Sequence, residues 1–179
     1  MELDDRQEQD GVSNLDMYKE MHSAGHFVGH STAKWSEDVK AMLKRNGAVS
    51  VLDYGSGKGK QYTEGKVHHD WGVEQPHLYE PAVSGMDKLP DRNFDAVICL
   101  DVLEHLEGRE LLDCVSLALS YADKCAMFAV TCRPAKKSLP DGRNCHITIQ
   151  PPMWWRGYVH AVATLQGKAG IDIVLRFEE

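Results

Sequence analysis

No stretch of the 179-residue chain approaches the ~20 consecutive apolar residues of a membrane-spanning helix. The acidic opening MELDDRQEQD lacks the basic and apolar regions of a signal peptide, so a cytoplasmic protein is expected. Cysteine is scarce. Cys99, Cys114, Cys125, Cys132 and Cys145 are odd in number, and none forms a CxxC pair or a zinc-ligand spacing. Cys99 and Cys125 sit inside apolar runs, as buried reduced thiols do. Positive charge is short too, 20 Lys and Arg against 27 Asp and Glu, which argues against broad nucleic-acid capture because phosphate neutralisation needs clustered cations. Lys58, Lys60 and Lys66 form one local exception, and Arg133, Lys136, Lys137 and Arg143 the other; each group reads as a solvated loop or as the wall of a basic groove. No internal repeat is present, and the length fits one domain with no room for a second catalytic one.

The patterning that is present is that of an α/β protein. Residues 1–15 are polar and without periodicity, and residues 1–30 are expected to form an N-terminal arm and a lid, with the folded domain over 31–179. Trp35, Val39, Met42 and Leu43 recur at i, i+4, i+7 and i+8 and predict a helix that starts at Ser31 or Thr32 and ends at Asn46-Gly47. Residues 48–54 (AVSVLDY), 94–100 (FDAVICL) and 125–131 (CAMFAVT) are short, valine- or alanine-bearing apolar runs of buried-strand type. Between the last two, residues 107–121 carry Leu111, Leu112, Val115 and Leu119 on one helical face, so a right-handed crossover and a parallel sheet are expected. Residues 133–144 read as a loop and 146–150 as a short β-like run. Pro151-Pro152 can start a helix through Trp154 and Trp155, and 161–165 with 171–177 are expected to close the chain as an antiparallel hairpin. The tryptophans can line an acceptor pocket, but core packing explains them equally well.

In VLDYGSGKG, Asp53 stands at the end of a predicted strand and is followed by Gly55, Gly57 and Gly59, which let the backbone turn sharply and approach a ligand closely. No Gly-Lys-Ser/Thr follows that would indicate a phosphate-binding P-loop. This segment, with LPDRNFDAVICLDVLEHL further on, resembles class I S-adenosylmethionine (SAM)-dependent methyltransferases over roughly residues 48–131. The resemblance implies a Rossmann-like, mostly parallel sheet. It also implies that Asp53, Gly55, Gly57 and Gly59 wrap the methionine end of SAM and that an acid ending the second strand binds the ribose. Glu80 in HLYEP is the preferred ribose acid and Glu74 in GVEQP the alternative. Only eight residues separate Glu80 from Leu89, so the sheet is expected to be shortened between the family's second and fourth strands, leaving Asp87 as the nearest adenine-contacting acid.

Asp101, Glu104 and His105 form a D-x-x-E-H string beyond a strand end. On the first turn of a helix they would share one face, and a later His146 offers a fourth ligand for Mg2+, Mn2+ or another divalent first-row metal. The string resembles metal-dependent O-methyltransferases carrying E-x-x-E-H, including small-RNA 2'-O-methyltransferases and ubiquinone-pathway enzymes, with Asp101 in place of the first Glu. The alternative is structural: Asp101, also a cofactor contact by the resemblance, caps a helix while Glu104 and His105 orient SAM. His22, His26 and His30 are spaced as a stripe that Gly25 and Gly29 interrupt, and MHSAGHFVGHS is expected to be a lid over the cofactor. The expected activity is methylation of a hydroxyl on a small molecule, sugar, nucleotide or nucleic-acid end, with the metal lowering the hydroxyl's pKa and positioning it or His146 acting alone as general base. The competing functions are metal-free N-methylation, for which the (N/D)PP(Y/F) string is absent, and a SAM-binding regulatory module without turnover.

Overall fold

Phe94–Leu100 forms the central strand of a five-stranded, all-parallel sheet, and six of its seven residues are buried. That burial on both faces explains a run that is apolar throughout, where a half-exposed strand would alternate. The structure is a computed structural model that describes residues 13–27 and 31–179. Residues 1–12 of the expected arm and 28–30 of the expected lid, His30 among them, lie outside the described residues.

The elements run α1 (Asn14–Ser23), α2 (Ser31–Asn46), β1 (Val51–Tyr54), α3 (Lys60–Thr63), α4 (Val67–Trp71), β2 (His77–Tyr79) and β3 (Phe94–Leu100). A single 3-10 turn (Leu103–His105) follows, then α5 (Gly108–Ser120), β4 (Ala122–Thr131), α6 (Pro152–Leu165) and β5 (Asp172–Glu178). The strand order is β2-β1-β3-β4-β5. This is a doubly wound, Rossmann-like arrangement whose order reverses between β1 and β3, and in such sheets the crevice for a ligand opens beyond the carboxyl ends of those two strands.

Two layers of helices cover the sheet. Val97 and Cys99 of β3 pack with Leu111, Val115 and Leu119 of α5 and Trp155 and Val159 of α6, whereas Ala96, Ile98 and Leu100 face Val39, Met42 and Leu43 of α2. The alternation follows from the period of two along a strand. A third, small cluster joins Met17 and Met21 of α1 to Leu139 and Cys145 of the long β4–α6 connection.

Four expectations change. The C-terminal segment is no antiparallel hairpin: 161–165 completes α6, and β5 pairs parallel with β4 from Cys125↔Asp172 to Thr131↔Glu178. Trp155, Val159, Val162 and Ala163 recur at helical spacing on the buried side of α6, and the helix supplies the crossover that a parallel pair requires. Residues 146–150 form no strand; Thr148 instead donates its N–H to the carbonyl of Glu104 and its hydroxyl to that of Leu106, fastening the run beside the 3-10 turn. The described part of the N-terminal arm is largely the docked helix α1, capped by the Ser13 hydroxyl. Finally, Asp101 does not open a helix, since it adopts φ 55 and turns the chain before the 3-10 turn begins. The shortening after β2 is present: residues 80–93 contain neither helix nor strand. Among the described residues no helix is long and apolar enough to cross a membrane. All five cysteines are free, and all but Cys132 are buried.

Candidate functional site

The chain leaves β1 through Gly55 and Ser56, whose N–H groups both donate to the carbonyl of Tyr79 at the end of β2, at 2.8 and 3.1 Å. A side chain at Gly55 is excluded, because a Cβ there would lie 2.4 Å from Val102 and φ is +90°. The loop therefore wedges between β2 and the exit of β3. A cavity of about 470 Å³ opens at this point, bounded by Asp53, Gly55, Ser56 and Gly57 after β1, Glu80 after β2, and Asp101 and Val102 after β3. Its place is the crevice that the strand order dictates. Gly59 does not line it and stands behind the loop at the start of α3.

Glu80 is buried, and its carboxylate accepts the Gly57 N–H at 3.1 Å and the Ala82 N–H at 3.1 Å. Burial raises its pKa, against the lowering by those two N–H groups. Glu74, the alternative, is exposed in the turn before β2, and Asp87 is exposed and accepts only the Gly85 N–H. Neither reaches the cavity. Asp53 is buried and accepts from the Tyr62 hydroxyl at 2.7 Å and the Gln61 amide at 3.2 Å. Burial pushes its carboxyl up to about 7 despite those hydrogen bonds.

That shift ties stability to pH. The unfolded chain ionises Asp53 near 3.8, while the folded protein holds the proton to about 7. Between those values the folded state carries the extra proton, so stability falls as pH rises across this window and stays lowered above it. Asp53→Asn keeps an acceptor for Tyr62 without the buried charge. It is expected to be more stable than the parent at pH 8 by on the order of 1–2 kcal/mol and to lose that advantage near pH 4, as read by urea melts at both pH values.

The second group of residues meets just beyond β3. Glu104, His105 and His146 each present a ligand atom, all within 4.8 Å of one another. Glu104 is wholly buried; one carboxylate oxygen accepts the Thr131 N–H at 3.0 Å, and the other has no hydrogen-bond partner. Burial, and after it the charge of Asp101, pushes its carboxyl up to about 8. A buried carboxyl oxygen without a hydrogen-bond partner, within reach of two imidazoles, is a costly arrangement that either a proton or a cation relieves. Each histidine has Nδ1 against a backbone carbonyl, His105 at 2.8 Å from Cys145 and His146 at 2.5 Å from Arg133. With those carbonyls accepting Nδ1–H, the Nε2 lone pair of both rings is left for a ligand, as in the outer shell of metal-bound histidines. Burial holds the His105 imidazole down to about 4, so it is neutral and ready to ligate at pH 7. These residues fit a divalent cation, and two imidazoles with one carboxylate suit Mn2+ or a later first-row ion better than Mg2+. Asp101 is not one of the convergent trio, because its left-handed turn removes it from the shared helical face.

Compared with known proteins, the chain matches no family model, no curated protein and no solved structure.

Sequence reasoning expected the segment of His22 and Phe27 over the cofactor but missed the docked helix α1 that leads into it and the part played by Tyr18. Tyr18, His22 and Phe27 line the 470 Å³ cavity. The Tyr18 hydroxyl donates to the carbonyl of Cys145 at 2.9 Å and lies 3.3 Å from His105 Nδ1, while the Phe27 ring stands edge-on to His105 with centroids 5.6 Å apart. His22 Nε2 is 4.0 Å from Glu80, and burial holds its imidazole below the ordinary range. The spacing of Met17 and Met21, one helical turn apart, was the available signal for a docked helix. His26 is exposed, and the described histidines of the expected stripe do not converge.

Proposed function

We propose that the protein is a SAM-dependent methyltransferase that methylates a hydroxyl group. The observation that carries this reading is the buried Glu80 carboxylate at the end of β2, held against the glycine loop of β1 in a cavity at the strand-order reversal. A nucleoside with a charged amino-acid tail needs such a site: backbone that can be approached closely for the tail, and a carboxylate one strand away for a ribose diol. SAM supplies, when bound, a methyl group on a positively charged sulfur.

Methyl transfer to a hydroxyl breaks the methyl carbon–sulfur bond as the oxygen–carbon bond forms. The electron pair stays on sulfur to give S-adenosylhomocysteine, and the hydroxyl proton must leave. The chain's contribution is alignment in a dry site. Tyr18 and Phe27 close the cavity on the side of α1, and His105 borders both this cavity and the one that contains His146. A divalent ion held by Glu104, His105 and His146 would lower the pKa of an acceptor hydroxyl. Without an ion, Nε2 of His146, oriented by the Arg133 carbonyl on Nδ1, is the group that takes the proton.

Calorimetric titration with SAM and S-adenosylhomocysteine tests the reading. Both are expected to bind, and Glu80→Gln is expected to weaken them about 10- to 100-fold, the cost of one charged hydrogen-bonding group. Glu74→Gln is expected to bind as the parent does. Unchanged affinity in Glu80→Gln would remove the ribose role from this residue, and no binding by the parent protein would overturn the reading.

A further inference from the structure

A second cavity, of about 270 Å³, adjoins the first, and Phe27, Asp101, His105 and Lys137 line both. Glu104, His105 and His146 line the smaller cavity together with Arg133, Lys136 and Lys137 from the start of the β4–α6 connection. Three cations at one small cavity are notable in a chain with a net charge of -7. Their charges are not equivalent. The Arg133 guanidinium is already engaged by Glu178 at 2.5 Å. Lys136 and Lys137, in contrast, have no carboxylate partner among the described residues, and the Lys137 ammonium rests 4.9 Å from the centroid of the Phe27 ring, at the boundary between the two cavities.

From this arrangement we propose that the 270 Å³ cavity is the acceptor subsite and takes a small hydroxyl compound bearing a phosphate group. Lys136 and Lys137 hold the phosphate, and the hydroxyl faces Glu104, His105 and His146. The inference rests on the methyltransferase reading for its use, but the anion site stands on the lysines alone. Two ammonium groups act as point charges and match a tetrahedral dianion; a planar carboxylate would be served better by the bidentate fork of Arg133, which Glu178 occupies. The cavity's size admits a phosphate and a few carbons. The acidic remainder of the surface disfavours a long polyphosphate chain, so the acceptor is a small molecule.

Heteronuclear NMR titration of the metal-free protein in EDTA with glycerol 3-phosphate, inorganic phosphate and glycerol tests the proposal. Glycerol 3-phosphate is expected to shift the amides of Lys136, Lys137 and His146 and to bind at least as tightly as inorganic phosphate; glycerol is expected to shift none of them. In the double variant Lys136→Ala/Lys137→Ala the phosphate affinity should fall about tenfold or more, while Lys136→Ala alone, at a residue that lines only the smaller cavity, should leave S-adenosylhomocysteine affinity unchanged. Lys136→Arg/Lys137→Arg should retain phosphate binding, as should Lys40→Ala/Lys44→Ala on the exposed side of α2. Equal phosphate affinity in the parent and Lys136→Ala/Lys137→Ala overturns the proposal. So does binding of inorganic phosphate without glycerol 3-phosphate, which leaves an anion site that admits no acceptor. The cofactor titration separates the two claims, because a parent protein that binds glycerol 3-phosphate but not S-adenosylhomocysteine refutes the methyltransferase reading and spares the anion site.

Discussion

Gly57→Val is expected to abolish binding of SAM and S-adenosylhomocysteine, with affinity lowered by more than about 1000-fold. Gly57 has φ 58, a left-handed conformation that a β-branched side chain all but forbids. The same residue's N–H holds the Glu80 carboxylate at 3.1 Å, so a backbone that relaxes to accommodate valine also releases the acid on the neighbouring strand. Both halves of the cofactor site are lost at once, which makes the effect larger than that of Glu80→Gln. Calorimetry against S-adenosylhomocysteine measures it. Far-UV circular dichroism and Mn2+ binding on the same variant show that the sheet and the Glu104, His105 and His146 cluster survive. Parent-like affinity in Gly57→Val would sink the glycine loop as the cofactor site.

The second large effect concerns the metal. The parent protein is expected to bind one Mn2+, followed by electron paramagnetic resonance, and to melt higher when the ion is added, because a ligand bound only by the folded state stabilises it by about 2.7 kcal/mol at one hundred times its Kd. His146→Ala removes one of three ligand side chains and is expected to weaken Mn2+ by more than about 100-fold and cancel the rise in melting temperature. Affinity should climb as pH rises through about 8, since Glu104 must give up its proton to ligate, whereas His105 is already neutral at pH 7. The variant should still bind S-adenosylhomocysteine, because the glycine loop and Glu80 are separate from the trio. If the ion activates the acceptor hydroxyl, EDTA is expected to stop methyl transfer to glycerol 3-phosphate and Mn2+ to restore it, whereas transfer that survives EDTA leaves the proton to His146. Mn2+ affinity equal in the parent and His146→Ala would return Glu104 and His105 to a structural role.

What was legible in the sequence was local. The run 94–100 reads as a buried strand because all but one of its residues meet core, and 107–121 reads as a helix because Leu111, Val115 and Leu119 share one face. The glycines of 55–59 and the acid of HLYEP are likewise readable, since turning the chain and ending a strand are properties of a few adjacent residues. The run 161–165 was not readable. AVATL is short and apolar, and such a run fits helix and strand alike until something decides which face it buries. Its continuity with Trp155 and Val159, and the need for a crossover between two parallel strands, settle it as helix.

The sequence by itself therefore determined the class of fold and the position of the glycine loop, because both follow from periodicity and from backbone freedom within a few residues. Only the tertiary structure decided which groups face each other across distance. It removed Asp101 from the trio through one left-handed residue. It brought His146 to His105 from 41 positions away, by fastening the connecting loop with Thr148 on Glu104 and Leu106 and with Tyr18 on Cys145. It turned an expected arm into a docked helix that closes the cavity. Those contacts join segments whose separation is set by packing, and no local pattern of side chains encodes a distance that depends on how the rest of the chain is folded.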